Sequence, residues 1–371
     1  MTDTSNLPPI PPEIAALTPY EPGKPIEELE RELGISGAIK LASNENPLGP
    51  SPKAMEAVRR GAGRLHRYPD GAGFELRQAL AARFGLQIDN VCLANGSNEI
   101  IEFLCRAFIR PGDDAVAAQY AFSMYEKLVA VAGGVLREVA LDDFRIDLEA
   151  MLAAVGPRTR LVFVNSPHNP AGTAVTRAQF AAFLERLPGG VVVVVDEAYV
   201  DFASDPEALN GLEFLGHAKP VVVMRTFSKA YGLAGLRIGY GLAPAPIVAV
   251  FNRVRQAFNT SIPAQEGALA ALADEDFLRR SKEITWRGLR DFYACFERLG
   301  LWYAPSQANF VLTRVGPRAG EVFDLLLRRG VIVRKMHSYH LPEYLRISVG
   351  LPEENARFIG ELSDILGGGA A

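Results

Sequence analysis

The chain has 371 residues, of which 49% are hydrophobic and 22% are charged, and its formal net charge is −4. This length exceeds what a single hydrophobic core usually supports, so two domains are expected. Because the chain is slightly acidic and has no polybasic run, neither nucleic acid nor an anionic membrane is an expected partner.

The first 18 residues are acidic and rich in proline, and they predict a flexible arm. This segment has neither the basic region nor the apolar region of a secretory signal. The three cysteines, Cys92, Cys105 and Cys295, are scattered, which favours reduced thiols over a disulfide framework. These features predict a cytoplasmic protein.

From about residue 47 to residue 260, strand patterns alternate with helix patterns, such as the helix predicted over residues 177–187. The predicted strands are continuous, valine-rich apolar runs at residues 91–94, 161–165, 191–196 and 221–224. Runs without alternation are typical of strands buried on both faces, so a mostly parallel sheet covered by helices is expected. The fold class predicted is therefore α/β.

A second, smaller α+β domain is predicted at the C-terminal end. Residues 270–371 begin with a long helical pattern, continue with short strands and end in a helical pattern. The sequence thus predicts a flexible arm at 1–18, a large domain at 41–265, and a small domain formed by 19–40 with 266–371.

Polar residues follow each of the four apolar runs. The runs are followed by Asn95-Gly96-Ser97, by the segment Asn165–Thr173, by Asp196-Glu197-Ala198-Tyr199, and by the loop that carries Lys229 and Arg237. Ligands of parallel sheets bind beyond the carboxyl ends of the strands. A partly desolvated lysine is a good nucleophile towards a carbonyl, and an arginine or a helix N-terminus can hold a phosphate. Each group also has a plain structural interpretation, such as a helix cap, but together they suit pyridoxal phosphate.

The motifs resemble those of the fold-type I pyridoxal-phosphate aminotransferases and, more narrowly, of the histidinol-phosphate aminotransferase family. The resemblance runs from about Thr18 to Asn355. It rests on LASNENPLGPSPKA, RYPDG, ANGSNEIIE, NSPHNPAGT, VVVDEAYVDF, RTFSKAYGLAGLRIGYG, RQAFNTS, PSQANFVL and LRISVG.

The resemblance implies that Lys229 is the catalytic residue and bonds covalently to the cofactor, with Asp196 facing the pyridine nitrogen. It also implies that Tyr199 and Asn169 bind the ring oxygen and that Phe122 stacks on the ring. The residues implied for the cofactor phosphate are Ser97, Asn98, Ser228, Arg237 and, from the other subunit of a homodimer, Tyr68.

On the substrate side, the resemblance implies that Arg346 binds an anionic group, with Tyr20, Arg334 and Asn259 lining the pocket. The implied reaction moves an amino group between histidinol phosphate and 2-oxoglutarate by a ping-pong mechanism. An aromatic amino acid aminotransferase and, more distantly, a decarboxylase or a non-catalytic amine sensor remain alternatives.

Two segments depart from the family pattern. His168 stands where an asparagine or similar residue is usual, and we interpret it as a partly exposed turn histidine. The segment Lys335–His340 is more basic than expected, so Lys335, His337 or His340 could add positive charge near the anionic substrate group. The spacing of the two histidines in a loop, with no third ligand, does not favour a metal site.

Overall fold

The structure is a computed structural model, and it describes residues 8–19 and 23–367. Two β-sheets and the helices packed on them make up this part of the chain. The helices are α1 (Pro12–Ala15), α2 (Ile26–Leu33), α3 (Pro52–Ala62), α4 (Phe74–Phe84), α5 (Ser97–Phe108), α6 (Met124–Val131), α7 (Leu148–Ala154), α8 (Arg177–Arg186), α9 (Ala245–Val254), α10 (Ile262–Leu272), α11 (Glu275–Arg298), α12 (Ala319–Arg328) and α13 (Pro352–Gly367).

The large sheet has seven strands in the order β2-β8-β7-β6-β5-β3-β4. The strands are β2 (Val91–Ala94), β3 (Asp114–Ala118), β4 (Val135–Val139), β5 (Thr159–Asn165), β6 (Val192–Asp196), β7 (Val221–Thr226) and β8 (Gly239–Leu242). All pairs from β4 to β7 are parallel, and β8 is antiparallel to both of its neighbours. The prediction of an α/β fold with a mostly parallel sheet is confirmed.

Both faces of the large sheet are buried, as the unbroken valine runs indicate. Val193 and Val195 of β6 point into a core that α4, α7, α8 and α10 cover. Val192 and Val194 point into a second core under α5, α6 and α9. The sheet is therefore a rigid central layer whose strand ends are the places where polar side chains can collect.

The small sheet has five strands in the order β1-β11-β12-β10-β9. They are β1 (Ile39–Leu41), β9 (Trp302–Tyr303), β10 (Phe310–Arg314), β11 (Val331–Lys335) and β12 (Tyr344–Ser348). Aromatic side chains of α11 and α13, including Phe292 and Phe358, pack on this sheet. After β1, the chain leaves the small sheet and runs to the site described below.

Several elements differ from the sequence expectation. The edge strand β4 was not predicted, because its side chains are mostly exposed or half-buried and form no apolar run. Strand β8 contains two glycines in the sequence GYGL and likewise lacks a run. Helix α1 lies within the segment that was predicted to be a flexible arm, and it is adjacent to α6. The domain boundaries at residues 40/41 and 265/266 stay a prediction.

The described residues include no helix that is both long and apolar enough to span a bilayer.

A buried ion pair ties the ends of β6 and β7 together. Arg225 Nε donates a 2.7 Å hydrogen bond to Glu197 Oε2, and Arg225 Nη2 donates to Asn210 Oδ1 at 3.0 Å. Glu197 Oε1 accepts from the backbone N–H of Gly211. The pair joins the residue after Asp196 to the strand that leads to Lys229.

We expect Glu197→Ala to lower the free energy of unfolding by about 3–5 kcal/mol, because it leaves the buried Arg225 guanidinium without a counter-charge. Urea unfolding followed by circular dichroism measures this change. The matched control is Glu283→Ala, which breaks an exposed pair with Arg279. A Glu197→Ala protein that unfolds at the same urea concentration as the control would contradict the prediction.

Candidate active site

Lys229 lies in the loop after β7, at the carboxyl edge of the large sheet. Its Nζ donates to the carbonyl oxygen of Ser43 at 3.2 Å and lies 5.8 Å from the centre of the Tyr199 ring. Burial and, after it, the positive charge of Arg346 lower the pKa of Lys229 to about 8. A lysine with so low a pKa has an appreciable unprotonated fraction near neutral pH and can attack a carbonyl.

Asp196 ends β6, and only 4% of it is exposed. The hydroxyl of Tyr125 and the backbone N–H of Ala198 both donate to its carboxylate. Burial nonetheless raises the pKa of Asp196 to about 6. A carboxylate in such surroundings favours a cationic partner beside it.

Sequence reasoning missed Tyr125, which is fully buried and stacks on Phe163 with 4.5 Å between ring centres. Tyr125 is three positions after Phe122, in the segment AFSMY at residues 121–125. The structure places the Phe122 ring edge-on to the Tyr125 ring at 6.1 Å, and the Tyr125 hydroxyl in turn contacts the Asp196 carboxylate.

The N-terminus of α5 forms a cradle for an anion. Gly96 has a φ of 74°, and a Cβ there would lie 2.5 Å from Arg237 Nη2. The guanidinium of Arg237 thus lies beside Gly96, the residue before the first turn of α5, where the backbone N–H groups of Ser97 and Asn98 begin the helix. Asn98 Oδ1 is buried and has no hydrogen-bond partner within the described part of the chain. A helix N-terminus beside a guanidinium suits a phosphate.

Ser228 directly precedes Lys229 in the loop after β7. It is largely buried, and its backbone N–H donates to Thr226 Oγ1 at 3.1 Å.

Arg346 connects the two sheets. This residue of β12 is 5% exposed, and its Nη1 donates to Asn169 Oδ1 in the loop after β5, at 2.5 Å. Its Nη2 donates to the carbonyl oxygen of Ala42, just after β1, at 2.9 Å. Its guanidinium also lies over the ring of Phe310, 5.1 Å from the ring centre.

Arg334 of β11 is directly opposite Arg346 in the antiparallel register. Opposite residues share a face of the sheet, so both guanidinium groups belong to the same side of it. Lys335 is on the other face, and its Nζ lies 5.6 Å from the centre of the Phe323 ring in α12. The ammonium group of Lys335 therefore faces α12 rather than the side that carries Arg346, which argues against the charge-adding role considered for it.

The remaining predicted residues have different surroundings. The amide of Asn259 is engaged by Leu93, Glu99 and Arg255, so a contact with substrate stays a prediction. Tyr68 is 80% exposed and stacks on Phe258 at 4.7 Å. Tyr20 lies outside the described residues.

His168 is fully buried, so the expectation of a partly exposed turn histidine is wrong. The loop it belongs to packs between the two sheets, where the nearby Ala171 joins an apolar cluster with Ala304, Leu312 and Met336. Burial lowers the pKa of His168 to about 3. His337 and His340 lie in and just after a short 3-10 turn, and within residues 8–19 and 23–367 no group of three or more His, Cys, Asp or Glu is placed to hold a metal.

Comparisons with known proteins show the family of this chain. Residues 36–362 match the family model of aminotransferase class I and II. A protein of Akkermansia muciniphila named histidinol-phosphate aminotransferase is 47% identical over 356 residues, which cover 95% of this chain and 97% of that protein. A Pseudomonas fluorescens protein named histidinol-phosphate aminotransferase 2 is 46% identical, with 96% of each chain covered.

The fold comparison gives the same result. The crystal structure of histidinol-phosphate aminotransferase from Sinorhizobium meliloti in complex with pyridoxal-5'-phosphate has a TM-score of 0.90 and 32% identity, and the match covers 99% of this chain and 100% of that one. An aspartate aminotransferase from Thermus thermophilus, at 23% identity and a TM-score of 0.82, shares the fold.

The fold and the charged groups around Lys229 thus define an enzyme of the fold-type I pyridoxal-phosphate class. The chain belongs to the aminotransferase class I and II family, and it is an aminotransferase.

The residues present fit pyridoxal phosphate. The cofactor has an aldehyde, an anionic phosphate and a ring nitrogen that can be protonated, and the site offers a low-pKa lysine, an anion cradle and a buried carboxylate for them. The Arg237 guanidinium can approach Gly96 this closely because that residue has no Cβ.

We expect the rate at which the cofactor-free protein binds pyridoxal phosphate covalently to rise with pH and then level off, with the midpoint of the rise near pH 8. The reason is that only the unprotonated Lys229 reacts. Arg346→Gln should move this midpoint upwards, since it removes a positive charge that lowers the pKa of Lys229. Stopped-flow absorbance at a series of pH values measures both.

The matched control for this measurement is Arg314→Gln, which removes an exposed arginine of the small sheet and should leave the midpoint in place. A wild-type midpoint near the ordinary lysine value of 10.5 would contradict the prediction.

Proposed function

We propose that this aminotransferase moves the amino group between histidinol phosphate and 2-oxoglutarate, in histidine biosynthesis in the cytoplasm, with ping-pong kinetics. The names of the relatives at 46–47% identity support this substrate. The observation that carries the proposal is the pair of guanidinium groups that Arg334 and Arg346 provide on one face of the small sheet.

The arginine pair favours a phosphate ester over an amino acid carboxylate. A phosphate monoester carries roughly two negative charges near neutral pH, and a carboxylate carries one. One arginine can bind either group through two parallel hydrogen bonds. A second guanidinium adds another positive charge, which favours the phosphate because the phosphate carries more negative charge. Arg346 Nε has no hydrogen-bond partner within residues 8–19 and 23–367, which leaves it a donor for such an anion.

The cofactor would be held by side chains of the loops at the carboxyl edge of the large sheet and by the first turn of α5. Arg237, Ser228 and the first turn of α5 would bind its phosphate, Asp196 its ring nitrogen, Tyr199 and Asn169 its ring oxygen, and Phe122 its ring face. When bound, pyridoxal phosphate accepts electrons from the substrate carbon and carries the amino group between the two substrates.

Lys229 would hold the cofactor covalently and, once displaced by substrate, would act as general base at the substrate carbon that bears the amino group. Its low pKa supports this role, because a general base works best when its pKa is near the working pH. Asp196, kept in place by Tyr125, would keep the ring nitrogen protonated.

We further propose that the enzyme is a homodimer in which Tyr68 completes the partner's site. Tyr68, Phe74 and Phe258 are large aromatic side chains that are 80%, 53% and 45% exposed in the single chain. Such a concentration of exposed aromatic surface is typical of an interaction site.

The first test is single-turnover reaction of the cofactor-loaded protein with histidinol phosphate or with phenylalanine, followed by the absorbance of the bound cofactor. We expect histidinol phosphate to react at least about tenfold faster at equal low concentration, since charge-assisted hydrogen bonds contribute roughly 1.5–3 kcal/mol each. Equal or faster reaction of phenylalanine would indicate an aromatic amino acid aminotransferase instead.

Neighbouring residues of β11 provide a matched pair of variants for this test. Arg334→Ala should slow the reaction with histidinol phosphate much more than the reaction with phenylalanine. Lys335→Ala should change neither reaction, because Lys335 is on the opposite face of the strand. A larger loss in Lys335→Ala than in Arg334→Ala would exclude the assigned phosphate site.

Subunit mixing tests the proposed dimer. Lys229→Ala and Tyr68→Ala should each be nearly inactive, but a hybrid dimer would contain one site with both residues. Co-refolded mixtures should therefore recover roughly a quarter of the wild-type activity, as expected for random pairing of two subunit types. Activity no greater than the mean of the two separate proteins would rule out a shared site.

A further inference from the structure

Asn44, in the connection after β1, has an unusual backbone and is almost completely buried. Its φ is 54°, which lies in the left-handed region that asparagine tolerates better than most residues. Only 2% of the residue is exposed. Asn309 Nδ2 donates to its carbonyl oxygen at 3.1 Å, and its own N–H donates to Ser348 Oγ at 2.8 Å. Asn44 is therefore fixed by groups from two other segments.

The side chain of Asn44 links Ser348 to Tyr199. Ser348 Oγ donates its proton to Asn44 Oδ1 at 2.8 Å, and Asn44 Nδ2 donates to the hydroxyl oxygen of Tyr199 at 3.0 Å. Ser348 and Tyr199 are 3% and 5% exposed. The three groups form a buried chain of hydrogen bonds between the small sheet and the active site.

The direction of this chain follows from the donor inventory. A serine hydroxyl has one proton, and an amide has one acceptor oxygen and one donor nitrogen. Because Ser348 gives its proton to Oδ1, the amide presents its N–H groups to Tyr199. The Tyr199 oxygen then accepts a hydrogen bond, and its own proton remains available to a different acceptor.

We propose that Asn44 is a positioning residue that directs the single proton of the Tyr199 hydroxyl into the cofactor pocket. This inference rests on the proposed function, which assigns Tyr199 to the ring oxygen of pyridoxal phosphate. Accepting a hydrogen bond from Asn44 also makes the Tyr199 hydroxyl a better donor, because linked hydrogen bonds polarise one another. Ser348 acts one step further away by fixing the orientation of the Asn44 amide.

The test is a pH titration of the absorbance of the bound cofactor in wild type, Asn44→Gly, Tyr199→Phe and the double variant. A donated proton stabilises the deprotonated form of the oxygen that receives it. Loss of the donor should therefore raise the titration midpoint. Asn44→Gly removes the amide without backbone strain, because glycine adopts the left-handed conformation freely.

We expect Asn44→Gly to raise the midpoint by about half a pH unit and Tyr199→Phe to raise it by at least as much. The double variant should match Tyr199→Phe, because Asn44 acts only through the hydroxyl that is already absent. An unshifted midpoint in Asn44→Gly, or a further shift of the same size in the Tyr199→Phe background, would overturn the proposal.

Ser348→Ala provides a second route to the same test if Asn44→Gly does not fold. Ser348→Ala leaves Asn44 and Tyr199 in place but frees the Asn44 amide to rotate. We therefore expect it to raise the titration midpoint as well. This shift should be absent when Ser348→Ala is combined with Tyr199→Phe. The charged or titratable groups that act on Tyr199, namely Arg346, Asp196, Tyr339 and Lys229, stay unchanged in all these variants.

The experiment separates this inference from the proposed function. Wild-type protein that shows no absorbance of covalently bound cofactor would overturn the proposed function and the inference together. Wild type with normal absorbance and a normal response to substrate, but with no shift in Asn44→Gly and Ser348→Ala, would overturn the inference alone.

Discussion

The active site depends on the parallel register of β5, β6 and β7. Asn165 pairs with Asp196, and Asp196 with Met224, so the three strands reach the carboxyl edge of the large sheet together. Because both faces of the sheet are packed, the strands cannot slide without exposing valines to water. The buried ion pair of Arg225 and Glu197 also joins the ends of β6 and β7 directly. The carboxylate, the lysine loop and the asparagine loop are thus held at fixed distances before any ligand binds.

The second constraint is the chain segment from Ala42 to Asn44, which passes from the small sheet to this edge. Its carbonyl groups accept from Arg346 and from Lys229, and Asn44 contacts Tyr199 and Ser348. Arg346 and Ser348 are two residues apart on β12, so their side chains share a face of the strand. The guanidinium that we propose to bind the substrate anion and the hydroxyl that orients Asn44 therefore belong to the same strand.

The sequence allowed the central strands to be predicted because β5, β6 and β7 are unbroken apolar runs that end in polar residues. Strand β8 and edge strand β4 escaped prediction, since a glycine-rich strand and a solvent-facing strand carry no such signal. Asp196 was found because it ends one of these runs, and Lys229 because it lies in the loop after the next one. Tyr125 and Asn44 were not, because their importance depends on contacts with residues 71 and 155 positions away. The burial of His168 was also missed, since nothing local in NSPHNPAGT indicates that the small sheet covers this loop.

The exposed edge of the large sheet has a consequence for solubility. Strand β4 is at one end of the strand order, and Val135 in it is 62% exposed. Unpaired strand edges with apolar side chains invite pairing with another chain, which leads to aggregation. Here the same strand carries Arg137, which pairs with Asp114 at 2.8 Å, and Glu138 beside it. An incoming strand would have to bring these charges out of water, which disfavours edge-to-edge pairing at β4.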